Sequence, residues 1–151
     1  MACKILVVAN RTADSPDLIA ALRGRAAEEP VGYTLLVPAV PHGLAWAADM
    51  KSGWSEAAQR ADRAGTRIRQ AGLDLEEVIV GDPDPFAAVG DVLHVREFDE
   101  VVVSTLPRTI SRWLTIGLPA RLRRTIELPV TEVNAHQWRS ADERSRQAVA
   151  A

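Results

Sequence analysis

A single cysteine, Cys3, stands in the 151 residues, so no internal disulfide is available and a disulfide-stapled secreted scaffold is excluded. One thiol suits a reducing cytoplasm. No apolar run approaches the length of a membrane-spanning helix, and the stretch Ile5–Ala9 behind Lys4 is too short for the core of a secretion signal. An excess of one charge is also lacking. Eighteen Lys and Arg against twenty Asp and Glu leave a net charge of −2, which argues against a dedicated binder of nucleic acid or of a membrane surface. Internal repeats and low-complexity linkers are absent. The chain is expected to be a soluble cytoplasmic protein.

What is present suffices for one domain. With 47% hydrophobic and 25% charged residues the composition is that of an ordinary globular chain. At this length folding removes roughly 68–70% of the unfolded surface from water, so the core needs no structural metal. Five short apolar runs punctuate the sequence: Lys4–Ala9, Tyr33–Val37, Glu77–Val80, Glu100–Val103 and Pro129–Val133. The first four are nearly continuous in Val, Ile and Leu, the pattern of parallel strands covered on both faces. Helices are predicted between them. Ser15-Pro16-Asp17 reads as an N-cap with proline at the first helical position, followed by Leu18, Leu22 and Ala26 at helical spacing. Ala57, Ala61, Ala64, Ile68 and Ala71 mark a second helix that Gly72 is placed to end, with Gln59, Arg60, Arg63 and Arg67 on its other faces. Pro85 pushes Asp84 out of the helical region, making Asp84 the cap of a third helix whose buried stripe is Phe86, Val89 and Leu93. Strand and helix alternate throughout, which predicts a parallel, right-handed, doubly wound sheet. Such sheets bind ligands beyond the carboxyl ends of their strands where strand order reverses, so the segments to watch are 9–15, 37–42 and 104–118. The tail from Asn134 to Ala151 is polar and alanine-rich, with Ser140 and Glu143 as a capping box for a short helix or else a frayed end.

Catalytic constellations are scarce. His42, His94 and His136 lack the short spacing of a zinc site. No Gly-x-Ser-x-Gly elbow exists, and Asp82 and Asp84 sit beside prolines that favour a cap over a pair of catalytic carboxylates. His42, Trp46, Met50 and Trp54 recur every four residues after the second strand, a stripe that suits a lid, a core contact or a dimer contact, although Gly43 and Gly53 weaken a continuous helix. Trp113 is open to the same readings, stacking on a base or plugging the space.

Three stretches, taken in order and spacing, resemble the universal stress protein family over residues 3–133. They are Ile5-Leu-Val-Val-Ala-Asn-Arg-Thr-Ala-Asp-Ser15, then Ala71-Gly-Leu followed by Val78-Ile-Val-Gly-Asp-Pro83, and finally Phe98-Asp-Glu-Val-Val-Val-Ser-Thr105 with Leu128-Pro-Val-Thr-Glu-Val133. The resemblance implies a single-domain α/β fold of the adenine nucleotide alpha hydrolase-like type: an open five-stranded parallel sheet of order 3-2-1-4-5 with helices on both faces. It also implies a homodimer formed through the last strand, and in many members an ATP site between the first and fourth strands. The nucleotide motif of those members is a glycine, two residues, a second glycine, nine residues, then glycine followed by serine or threonine. Here its positions hold Ser104, Pro107, Gly117 and Leu118, so only the third glycine survives. Pro107 offers no amide proton and Leu118 no hydroxyl to a phosphate. Where ATP-binding relatives usually place an aspartate at the end of the first strand, this chain has Asn10.

Between Ser104 and Ile126 stand five arginines, Arg108, Arg112, Arg121, Arg123 and Arg124, and no acidic residue. They form either an oxyanion site or a solvated basic face, since arginine supplies 16 of the chain's 18 basic residues. The expectation is a non-catalytic ligand-binding protein without a metal. Ala9, Asn10, Val37, Pro38 and Ala39 would lie near a nucleoside, and Ser104, Thr105, Arg108 and Gly117 near phosphates. The ligand would be a small anion, with ATP or another adenine nucleotide bound weakly or not at all. The alternatives are a nucleotide-independent dimeric interaction module, its pocket filled by Leu106, Trp113 or Leu118, and a divergent ATP-binding stress protein.

Overall fold

A computed structural model describes residues 2–39, 50–106 and 117–135 of the chain. Strand and helix alternate as β1 (Cys3–Val8), α1 (Pro16–Glu28), β2 (Val31–Pro38), α2 (Met50–Gln70), β3 (Asp74–Gly81), α3 (Pro85–Val95), β4 (Glu100–Thr105), α4 (Leu118–Thr125) and β5 (Val130–Asn134). All neighbouring strands are parallel, as the alternating pattern predicts, and the sheet order is β3-β2-β1-β4-β5, the order that the family resemblance implies.

The pleat explains why the central strands read as unbroken apolar runs. Along β1, Ile5 and Val7 face one side and Leu6 and Val8 the other, and both sides are covered. On the first side Ile5, Val7, Tyr33, Leu35 and Val102 pack against Leu18 and Leu22 of α1 and Ala57, Ala61, Ala64 and Ile68 of α2. On the second, Leu6, Val8, Leu36, Val101 and Val103 pack against Ala88, Val89 and Val92 of α3 and Leu118 and Leu122 of α4. Both expected caps form: the Ser15 hydroxyl accepts from the Leu18 amide at 3.1 Å, and the Asp84 carboxylate from the Phe86 amide at 3.0 Å. Gly72 follows α2 with φ of +83°, a left-handed turn that favours glycine.

Three boundaries differ from the sequence reading. β3 begins at Asp74, three residues before the expected run, because an edge strand tolerates exposed acidic side chains such as Asp74 and Glu76. Helix α2 runs without a break through Gly53, so one glycine does not divide it. β5 continues to Asn134, one residue past the expected run, and Ala135 after it is buried. Residues 136–151, with the suggested capping box, lie outside the described residues.

Candidate functional site

The carboxyl ends of the strands line one edge of the sheet. β1 leads to α1 on one face and β4 to α4 on the other, so the strand order reverses between them, the position at which sheets of this kind form a ligand-binding crevice. Ala9, Asn10, Val37, Pro38, Ala39, Ser104, Thr105 and Gly117 all fall on or immediately beyond these strand ends or at the start of α4. Arg108, the remaining expected site residue, lies outside the described residues, as do Pro107, Arg112, Trp113, His42 and Trp46.

Asn10 closes the end of β1. Its side-chain amide nitrogen donates to the Pro38 carbonyl at 2.8 Å, and its side-chain oxygen accepts a hydrogen bond from the Arg60 guanidinium on α2. The residue is buried, so both ends of its amide are used to tie β1, β2 and α2 together. An aspartate has no proton to give Pro38 at neutral pH; the amide is therefore the side chain this geometry requires. Asn10 serves here as a structural latch at the rim of the crevice. The sequence spacing predicts Arg60 on an outer face of α2. It borders the buried stripe beside Ala61, and only the folded chain shows it reaching Asn10.

Ser104 takes the first glycine position of the nucleotide motif, and its hydroxyl is engaged too. It lies 2.6 Å from the Thr12 hydroxyl, and both side chains are buried. The pair fastens the loop after β1 to the end of β4, a link between residues 92 positions apart that no local pattern reveals. Thr105 is different. Its hydroxyl is buried and has no hydrogen-bond partner among the described residues, and the side-chain oxygen of Asn134, its register neighbour on β5, is in the same condition. Buried polar atoms usually find partners, so these two mark a place where a polar group is owed.

Gly117 caps α4 at φ +66° and ψ +33°, with no side-chain hydrogen bond to the first turn. That conformation is costly for other residues, and the helix start leaves backbone amides to be satisfied by solvent or an anion. Leu118 is wholly buried in the core on the α3–α4 face, where the motif of ATP-binding relatives has a hydroxyl. Of the arginine cluster, Arg121 stacks on the Phe86 ring at 3.9 Å and the Arg123 Nε donates to the Val130 carbonyl at 3.3 Å. Arg123 and Arg124 occupy the last turn of α4, at the opposite edge of the sheet from the crevice. These three arginines belong to the solvated face. Trp54, the member of the four-residue stripe whose side chain is described, is 37% exposed near the start of α2. Among the described residues no group of His, Cys, Asp or Glu is arranged to hold a metal ion, and no helix is long and apolar enough to cross a membrane.

No family model matches the sequence, and no curated protein matches it significantly. Solved structures do. A universal stress protein from Archaeoglobus fulgidus in complex with dAMP superposes with a TM-score of 0.58 at 18% identity, over 88% of this chain and 98% of that one. A universal stress protein family protein from Arabidopsis thaliana with AMP bound gives 0.58 at 18% identity, over 93% and 94%. A family protein from Burkholderia pseudomallei gives 0.56 at 18% identity, over 86% and 94%. At this identity the likeness establishes the fold: the chain has the architecture of the universal stress proteins.

Proposed function

We propose that the chain is a universal stress protein-like binding protein whose carboxyl-edge crevice takes a small anionic ligand of the adenylate class without performing chemistry on it. The observation that carries this reading is the Thr105 hydroxyl, buried at the end of β4 without a hydrogen-bond partner among the described residues, on the sheet face that α4 covers. Support comes from similar folds solved with dAMP, cAMP and AMP. A triphosphate is disfavoured by the same local chemistry. The Ser104 hydroxyl is committed to Thr12, Leu118 is sunk in the core, and Pro107 has no amide proton. Each lost hydrogen bond to a charged phosphate is worth about 1.5–3 kcal/mol, so two together weaken binding by roughly 10²- to 10⁴-fold.

Calorimetry tests this with AMP and ATP. AMP should bind weakly, and ATP more weakly still or undetectably, with any ATP affinity falling as salt rises because exposed charge contacts are screened. Submicromolar, salt-insensitive ATP binding, or turnover of ATP, would overturn the reading. Complete absence of AMP binding would favour the second reading, a nucleotide-independent interaction module, to which the burial of Leu118 also speaks.

The chain is further proposed to pair as a homodimer through β5. Among the described residues that strand has β4 on one side only, and an unpaired edge otherwise invites uncontrolled association. Sedimentation should show a dimer that Thr131→Pro weakens; a monomer at high micromolar concentration would end the proposal.

A further inference from the structure

Opposite the crevice, at the amino edge of the sheet, lies an open groove of about 1070 Å³. Its floor is apolar, with Leu93, Phe98, Ile126 and Leu128 packed against the core from one side and open to the groove from the other. Its walls also carry five carboxylates, from Glu29, Glu97, Asp99, Glu100 and Glu127, against the cations Lys4, Arg25 and Arg96.

Most of the positive charge is already matched. The Arg25 Nε donates to Glu100 at 3.1 Å and its Nη2 to Glu29 at 2.6 Å, while Arg96 holds Glu77 through two hydrogen bonds of 2.8 and 2.6 Å. Glu97 and Glu127 have no cationic partner among the described residues, and Asp99 only accepts from the Lys4 backbone amide at 2.8 Å. The groove therefore presents unmatched carboxylates above an apolar floor.

A second observation gives the same sign. In a parallel sheet the helices return to the amino edge by their carboxyl ends, and the ends of α1, α3 and α4 all reach this groove, through Arg25 and Glu29, Leu93 and Arg96, and Ile126 and Glu127. Helix carboxyl termini carry partial negative charge on their last carbonyls and favour cations. Arg123 and Arg124, in the last turn of α4, are not on the groove wall.

The geometry points to a docking groove for a basic peptide segment of a partner protein, one in which lysine or arginine alternates with apolar residues. The carboxylates and helix ends would take the cationic side chains, and Leu93, Phe98, Ile126 and Leu128 the apolar ones. The apolar floor distinguishes this occupant from a small polyamine, which would leave those side chains uncovered. The groove lies across the sheet from the crevice, so the inference stands whether or not an adenylate binds there.

The test is fluorescence anisotropy of labelled hexapeptides against the full-length protein. The alternating Lys-Leu peptide should bind, and weaken as salt rises; the Glu-Leu and Lys-Ser peptides should bind at least about tenfold more weakly. The double variant Glu97→Gln, Glu127→Gln changes two exposed side chains, should keep its circular dichroism spectrum, and should weaken the Lys-Leu peptide about fivefold. Failure of the Lys-Leu peptide to bind, equal binding of the Glu-Leu or Lys-Ser peptide, unchanged affinity in the double variant, or full displacement by equimolar spermidine would each overturn the inference.

Discussion

Tyr33 offers a direct measurement of how tightly the first core is sealed. It is the chain's only tyrosine and is wholly buried between the sheet and α1, its hydroxyl donating to the Leu22 carbonyl at 2.7 Å. Burial pushes its pKa up from 10.0 to about 12, because the phenolate would lose its hydration. The folded state thus holds the proton more firmly than the unfolded state. The resulting stability is fully present below pH 10 and is lost as pH rises through about 12. A shift of this size corresponds to about 2–3 kcal/mol. The Cys3 thiol, which burial also pushes up from 9.0, loses its proton in the same alkaline range, so the absorbance of the one tyrosine is needed to isolate this titration. Tyr33→Phe removes both the phenol and its hydrogen bond, so at pH 8 it should cost about 1 kcal/mol. Having nothing to ionise at that position, the variant should then lose less between pH 10 and 12, and the two stability curves should cross. Urea denaturation at each pH gives the curves, and phenolate absorbance at 295 nm gives the titration of this one residue. A folded-state midpoint near 10, or parallel curves for protein and variant, would refute the reasoning.

Asn10→Ala deletes the latch between β1, β2 and α2 and leaves the Pro38 carbonyl buried without its donor. It should lower stability in urea by about 2 kcal/mol, and a loss below about 0.5 kcal/mol would show that the latch is dispensable. Two glycines of the sheet should answer differently to alanine. At Gly81 a new Cβ meets Leu36 at 2.8 Å and Ala88 at 3.0 Å in packed core, so Gly81→Ala should cost about 1–3 kcal/mol; at Gly32 it meets only the end of the Glu76 side chain, which can swing away, so Gly32→Ala should be milder on the same denaturation assay.

The alternation of strand and helix was legible because it depends on many residues at once, whereas the strand order came from the family resemblance. A run such as Ile5-Leu-Val-Val8 satisfies a two-sided burial whichever neighbour it meets, and caps such as Ser15 and Asp84 are written within three residues of what they cap. β3 was read short because its first half carries Asp74, Glu76 and Glu77, and an edge position is a tertiary fact. The crevice was legible in place but not in detail. The sequence identifies Asn10 and Ser104 as departures from the nucleotide motif, yet their partners Arg60 and Thr12 stand 50 and 92 positions away. Such pairs have no period to betray them.

The same topology accounts for two binding edges of opposite character. Every helix of a doubly wound parallel sheet leaves from the carboxyl edge of the strands and returns to the amino edge, so helix dipoles add a positive bias to one edge and a negative bias to the other. Side chains then reinforce or cancel that bias locally. At the carboxyl edge, Gly117 leaves the first amides of α4 without a side-chain cap, while Asn10 contributes no charge. At the amino edge, Glu97 and Glu127 add to the helix ends while Arg25 is neutralised by Glu29 and Glu100. The two sites lie at opposite ends of the strands and share no side chain. Asn10→Ala should therefore leave the affinity for the Lys-Leu peptide unchanged in protein that remains folded, and Glu97→Gln with Glu127→Gln should leave AMP binding unchanged. Coupling between them would mean that the edges communicate through the sheet, which nothing in its continuous packing of β1 against β2 and β4 requires.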